Sequence, residues 1–164
     1  MKEQKICMLG AFAVGKTSLV RRFVEGMFSE EYLTTIGVKI DQKQVSCPRG
    51  ELLMILWDVA GEDRFHTITD TYLRGSAAYL LVADGGRPQT IEQALQIDQR
   101  AQKLLGGVPR LLLLNKADLR EEWPSDDGVA LARAAELGML VLPSSAKTGV
   151  GVEEAFVQLA DQLL

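Results

Sequence analysis

Four short stretches of this chain are almost unbroken apolar runs: Ile6-Cys7-Met8-Leu9, Leu52 to Trp57, Ala77 to Ala83 and Leu111 to Leu114. A strand with water on one face alternates apolar and polar residues; an unbroken run has both faces covered, as in a parallel sheet between helices. Thr35 to Val45 reads differently, with Ile36, Val38 and Ile40 set between polar neighbours, as expected of a half-exposed edge strand. Helical period fills the gaps. Leu19, Val20, Phe23 and Val24 share one face of a helix beginning near Gly15-Lys16. Ile91 to Leu105 ends at Gly106-Gly107, and Val129 to Leu137 stops at Gly138. From Val152 to Leu163 the apolar residues step by three and four. Strands alternating with helices make an α/β chain, and such sheets bind ligands beyond the carboxyl ends of their strands. The loops after the apolar runs are therefore where function is sought.

Composition narrows the classes. A length of 164 residues suits one domain. The 18 Lys and Arg against 22 Asp and Glu give a net charge of −4, which argues against nucleic acid as a partner. Two cysteines cannot form a disulfide framework, so a reducing compartment is expected. Cys7 is expected in a strand, and Cys47, before Pro48, in a connecting loop. The longest apolar run is far below the ~20 residues that span a bilayer. The opening Met-Lys-Glu-Gln-Lys has no signal-peptide character, so a cytoplasmic protein is expected.

The first loop, Gly10-Ala11-Phe12-Ala13-Val14-Gly15-Lys16-Thr17, fits G-x-x-x-x-G-K-[ST] between a strand and a helix. Such a loop turns successive backbone N–H groups toward a phosphate, aided by the helix N-terminus. Lys16 would reach the β- and γ-phosphates, and the Thr17 hydroxyl would ligate Mg²⁺. The second loop is Asp58-Val59-Ala60-Gly61-Glu62. A carboxylate ending a buried strand there can hold Mg²⁺ opposite the first loop, often through water, and Gly61 lets a backbone N–H approach the terminal phosphate. The third is Asn115-Lys116-Ala117-Asp118, and the fourth is Ser145-Ala146-Lys147. A carboxylate in the third can accept two hydrogen bonds from the ring N–H and exocyclic amine of guanine, a pair that adenine does not present.

These four elements, in this order, resemble the Ras superfamily of small GTPases across essentially the whole chain. Thr35-Ile36-Gly37-Val38, Trp57 to Phe65, Thr67-Ile68 and Tyr72-Leu73-Arg74-Gly75 resemble the Rab branch in particular. The resemblance implies a P-loop three-layer α/β sandwich. About six strands, mostly parallel with one antiparallel edge, would be flanked by about five helices, and residues 1–164 would form one G domain. It implies GTP and GDP as ligands, Mg²⁺ as cofactor, and a switch that hydrolyses GTP. Nucleotide contacts fall to Ala13, Val14, Gly15, Lys16, Thr17 and Ser18 in the first loop. Phe28 would lie on the guanine face, and Thr35 and Gly61 would meet the γ-phosphate side. Asp118 would read the guanine, while Asn115 would tie the base loop to the phosphate loop. Lys116 and Lys147 would cover the base with their stems, in the company of Ser145, and the Ala146 N–H would meet its carbonyl. Thr17, Thr35 and Asp58 form the metal set, and Glu62, Lys16 and Gly61 the catalytic one. Effectors and regulators would bind a monomer through its two switch regions.

Some positions depart from the family pattern. Glu62 stands where most relatives carry Gln, and a carboxylate beside the γ-phosphate can orient water as a base only with a raised pKa. Phe12 stands where relatives carry small or polar residues; it either crowds the place where an arginine finger would enter or folds outward over the nucleotide. Both departures point to slow hydrolysis. The residues after the last helical pattern include no terminal cysteines of the prenylated kind, so a direct lipid anchor is not expected. His66 reads as an exposed bystander, Trp57 as core or as effector patch with Val38, Ile40 and Tyr72, and Arg120 to Glu122 as a solvated loop. The leading function is a GTP-hydrolysing switch; the alternative is a GTP-binding interaction module with little turnover. An ATP-dependent P-loop kinase is disfavoured by Asn115-Lys116-Ala117-Asp118.

Overall fold

A computed structural model describes residues 1–26, 38–59, 70–123 and 128–164. Its sheet has six strands: β1 (Lys2–Gly10), β2 (Val38–Cys47), β3 (Gly50–Val59), β4 (Ala78–Asp84), β5 (Arg110–Asn115) and β6 (Leu140–Pro143). Their order is β2-β3-β1-β4-β5-β6. Only β2 and β3 pair antiparallel, turning at Pro48-Arg49, and the other pairs are parallel. The described helices are α1 (Lys16–Glu25), α2 (Pro88–Leu105), α3 (Gly128–Glu136) and α4 (Val152–Leu163), with a helical stretch at 70–73 and a 3₁₀ helix at Ala117–Glu122. The expected P-loop α/β architecture is what the chain adopts.

The apolar runs of β1, β4 and β5 are buried on both faces because alternate residues feed two cores. The run of β3 departs from the expectation, with Leu52, Met54 and Leu56 buried and Leu53, Ile55 and Trp57 between them only half-buried. Ile6, Met8, Leu52, Met54, Leu56, Leu80 and Leu111 pack with Leu19, Val20 and Phe23 of α1 and with Val152, Phe156 and Leu159 of α4. Cys7, Leu9, Tyr79, Leu81 and Leu112 face the other way, onto Ile91, Ala94 and Leu95 of α2 and Ala130 and Ala134 of α3. Each fully buried side chain of this size contributes roughly 1.5–3 kcal/mol, so the sheet is a rigid platform. Phe23 and Phe156 stack at 3.9 Å between ring centroids, locking α1 to α4. Strand β2 is the edge, as expected, but it is largely exposed and does not keep the expected alternation: Val38 packs on a core while Ile40 is exposed and Asp41 beside it is half-buried. Cys47 is its last residue rather than part of a loop, because the turn is tight enough for Cys47 to pair with Gly50. Arg120 to Glu122 is exposed as expected, but it is wound into the 3₁₀ helix. Both cysteines are reduced, Cys7 buried and Cys47 half-buried.

Candidate functional site

The glycine-rich loop leaves β1 at Gly10 and enters α1 at Lys16. Gly10 has φ of 157°, and a Cβ there would sit 2.3 Å from the Val82 carbonyl oxygen, so the close approach of β1 to β4 requires glycine. Gly15 has φ of 102°, and its Cβ would fall 2.3 Å from Asn115 Nδ2. Its bareness lets the Asn115 amide reach past it and donate to the Val14 carbonyl at 2.9 Å. Ala13 adopts the left-handed region, φ 63°, without being glycine.

Lys16 is buried, and its ammonium folds back over the loop, donating to the carbonyls of Gly10 at 3.1 Å and Ala11 at 3.2 Å. Burial pulls its pKa down to about 8, against the opposing pull of Asp58. Thr17, the next residue of α1, donates its hydroxyl to Asp58 Oδ2 at 2.7 Å. Asp58 is fully buried near the end of β3, and β1 holds it in register opposite Met8. Ser18 lies half-buried in the same first turn of α1. Among the described residues no group of three or more His, Cys, Asp or Glu could hold a metal, so protein ligation would rest on few oxygens.

The loops after β5 and β6 meet this first loop. Asn115, the last residue of β5, is buried and also accepts from the Ser144 hydroxyl at 3.2 Å. Lys116, left-handed at φ 67°, donates to the Ala13 carbonyl at 3.3 Å and pairs with Asp84 at 2.9 Å. Asp118, exposed on the 3₁₀ helix, accepts from the buried Ser145 hydroxyl at 2.8 Å, and Ser145 Oγ in turn accepts from the Thr148 N–H at 3.1 Å. Ala146 is buried and Lys147 is exposed. The structure thus gathers Ala13, Val14, Gly15, Lys16, Thr17, Asp58, Asn115, Lys116, Asp118 and Ser145 at the carboxyl ends of β1, β3, β5 and β6. Phe28, Thr35, Gly61, Glu62 and His66, with the start of the expected edge strand, lie outside the described residues.

The family model that matches this chain is that of the Ras family, over residues 5–164. The chain belongs to the Ras family. It is 34% identical over 157 residues to GTP-binding protein YPTM1 of Zea mays, covering 95% of this chain and 76% of the relative. Ras-related protein Rab-13 of Canis lupus familiaris is 35% identical over 165 residues, 98% of this chain and 79% of the relative. Ras-related protein Rab-8B of Dictyostelium discoideum is 33% identical over 160 residues, with 97% and 79% covered. This Ras-family chain is a Rab-like GTP-binding molecular switch and a GTPase. No helix among its described residues is long and apolar enough to cross a membrane.

Within this Ras-family member, Phe12 is 54% exposed, so its ring belongs to neither core. Trp57 is half-buried against the α2-side core, tilted on Tyr72 at 6.1 Å with the Lys5 ammonium 3.7 Å over its ring. It therefore joins core and surface rather than choosing one. Sequence reasoning missed Asp84, Arg87, Ser144 and Arg22. Asp84 ends a parallel strand, and the carboxyl-end rule that located the other loops applied to it equally. It is buried and holds Lys116, the Gly86 N–H at 2.8 Å and Arg87 at 3.1 Å. Burial works to raise its carboxyl pKa, but those hydrogen bonds outweigh it and hold the group below the ordinary carboxylate value. Arg22 ties α1 to the Ser-Ala-Lys loop, donating to the carbonyls of Lys147 at 3.5 Å and Thr148 at 3.3 Å.

Proposed function

We propose that residues 1–164 form a single G domain in which the gathered loops bind guanine nucleotide, with Asp118 reading the base and the 10–17 loop holding the phosphates. The observation that carries this reading is the Asn115 bond to the Val14 carbonyl, 2.9 Å long, which makes the base loop and the phosphate loop one unit. A ligand spanning the two gains from both at once. Asp118 and Ser145, already bonded to each other, offer a carboxylate edge and a buttress for the base. Lys147, Lys116 and Phe28 would flank the base, and the Ala146 N–H would meet its carbonyl.

Thr17 and Asp58 fit Mg²⁺. Both offer hard oxygens, and a hydroxyl that donates its proton to a carboxylate at 2.7 Å is a better ligand through its remaining electrons. When bound, Mg²⁺ neutralises charge building on the phosphates. Thr17 would ligate it directly, Asp58 through water, and Thr35 only in the triphosphate state. Thr35 and Gly61 would hold the two switch segments to the γ-phosphate, and hydrolysis would release them. The monomer would meet effectors and regulators through those segments.

Hydrolysis is slow in this reading, at or below the ~10⁻⁴–10⁻³ per second of a related switch. Glu62 replaces a neutral water-orienting amide with an anion. Phe12, exposed on the loop, would crowd the entry of a finger in trans. The same two residues favour the second reading, a GTP-binding interaction module with little turnover. One experiment tests both: identify the co-purifying nucleotide by chromatography, then follow single-turnover conversion of GTP. Guanine nucleotide and conversion over hours are expected. Adenine nucleotide would overturn the binding reading, conversion within minutes would overturn the slow mechanism, and no conversion would leave the interaction module.

A further inference from the structure

The peptide groups after Phe12, Ala13 and Val14 each have their carbonyl pinned by a donor from outside the loop. Arg87 Nη2 donates to the Phe12 carbonyl at 3.0 Å, Lys116 Nζ to that of Ala13 at 3.3 Å, and Asn115 Nδ2 to that of Val14 at 2.9 Å. A trans peptide is planar, and its C=O and N–H point in opposite directions. Pinning three successive carbonyls outward therefore aims the N–H groups of Ala13, Val14 and Gly15 away from those donors, into the cradle. Lys116 and Asn115 belong to the base loop. Arg87 does not: it starts the turn into α2 and is held there by Asp84 through Nε at 3.1 Å. Asp84 is shared with Lys116, so one buried carboxylate fixes the donors to two adjacent peptides.

We propose that Arg87 is a positioning residue for phosphate binding, holding the Phe12–Ala13 peptide so that the Ala13 N–H faces a bound phosphate. The inference rests on the guanine-nucleotide reading above and deepens it. Arg87 acts through the backbone and needs no contact with the nucleotide. Its guanidinium is suited to this, because one rigid fork can serve a carboxylate and a carbonyl together.

The test uses Arg87→Met and Arg87→Lys in the full chain. Release of radiolabelled GDP, phosphorus NMR of bound unlabelled GDP, and relative affinities for GDP and inosine diphosphate are measured. Loss of a charge-assisted bond to a partly exposed carbonyl should speed GDP release by about tenfold in Arg87→Met. The phosphate resonances should move. The preference for GDP over inosine diphosphate, which lacks the exocyclic amine, should not change, because that choice is made at Asp118. Arg87→Lys should recover slow release in part. Release at the unmodified rate, unmoved resonances, a changed base preference, or a Lys variant indistinguishable from Met would each overturn the inference. If the unmodified chain holds no guanine nucleotide, the functional reading falls first and this inference with it.

Discussion

Replacing Asn115 with Ala removes two hydrogen bonds from the point where the loops join. The Val14 carbonyl loses its donor and the Ser144 hydroxyl loses its acceptor, and Val14 and Ser144 are both fully buried. A buried polar group left without a partner costs ~1–3 kcal/mol. A water admitted into the vacated amide volume can recover part of this, which leaves about 3 kcal/mol for the pair. Because the bonds fix the geometry shared by base and phosphates, the loss should fall mainly on the nucleotide complex, as roughly a hundredfold weaker GDP binding.

Gly15 supplies an internal check. A Cβ at Gly15 would lie 2.3 Å from Asn115 Nδ2, so Gly15→Ala must push the amide off the Val14 carbonyl. That variant should lose as much affinity as Asn115→Ala, plus ~1–2 kcal/mol for a side chain in left-handed backbone. In the Asn115→Ala background the clash is gone, and only the backbone part should remain. GDP release measured across this double-mutant cycle decides the matter. A change below threefold for Asn115→Ala, or full additivity of the two substitutions, would refute the idea that this amide joins the loops (a tenfold change being ~1.4 kcal/mol).

Three other outcomes are expected. Burial pulls the pKa of the Lys16 ammonium down to about 8, and a phosphate beside it must raise it. GDP affinity should therefore be full below about pH 8 and fall as pH rises through that value, toward tenfold per unit; titration calorimetry in the range where the guanine ring N–H stays protonated checks it. Asp118→Asn should shift preference toward xanthine nucleotides, which present a carbonyl where guanine has its amine; competition of xanthosine and guanosine diphosphates reads this out. Asp98→Ala should destabilise the fold by about 3 kcal/mol in denaturant melts, since it strips the partner from a largely buried Arg110. Asp98 accepts from Tyr79 at 2.5 Å and from Arg110 at 2.9 Å, far from the loops, so nucleotide preference should be untouched.

The sheet was legible because burial on both faces writes itself as consecutive apolar residues. The run of β3 reads the same way although its Leu53, Ile55 and Trp57 are only half-buried, and strand ends outside the runs were not legible. Strand β1 begins at Lys2, not Ile6, since Lys2 to Lys5 pair with Leu52 to Ile55 at the exposed end of the strand, where polar side chains are tolerated. The motif loops were legible because phosphate and guanine chemistry demands fixed residue types at fixed spacing. Asp84 and Arg87 obey no such spacing. Arg87 meets Phe12 across 75 positions of sequence, and its acceptor is a backbone carbonyl that any residue could supply. Arg22 meets Thr148 across 126 positions in the same way. Donors to backbone carbonyls leave no residue signature at the acceptor, so Asn115 and Lys116 were found only because they sit inside a motif, while Arg87 and Arg22, which do the same work outside one, were missed.

That asymmetry has a thermodynamic root. Ala13 and Lys116 are the two non-glycine residues with positive φ among those described, and both lie in the loops of the site. Such conformations cost of order 1–3 kcal/mol each and persist only where surrounding bonds over-determine them. Here the two strained residues hold one another, since the Lys116 ammonium donates to the Ala13 carbonyl while Asp84 anchors that ammonium. The strain is thus set against bonds rooted in β4 and β5, strands whose side chains are packed into both cores. In the guanine-nucleotide reading, bonds that fix the loop in this way lower the ordering cost of aligning its N–H groups on a phosphate.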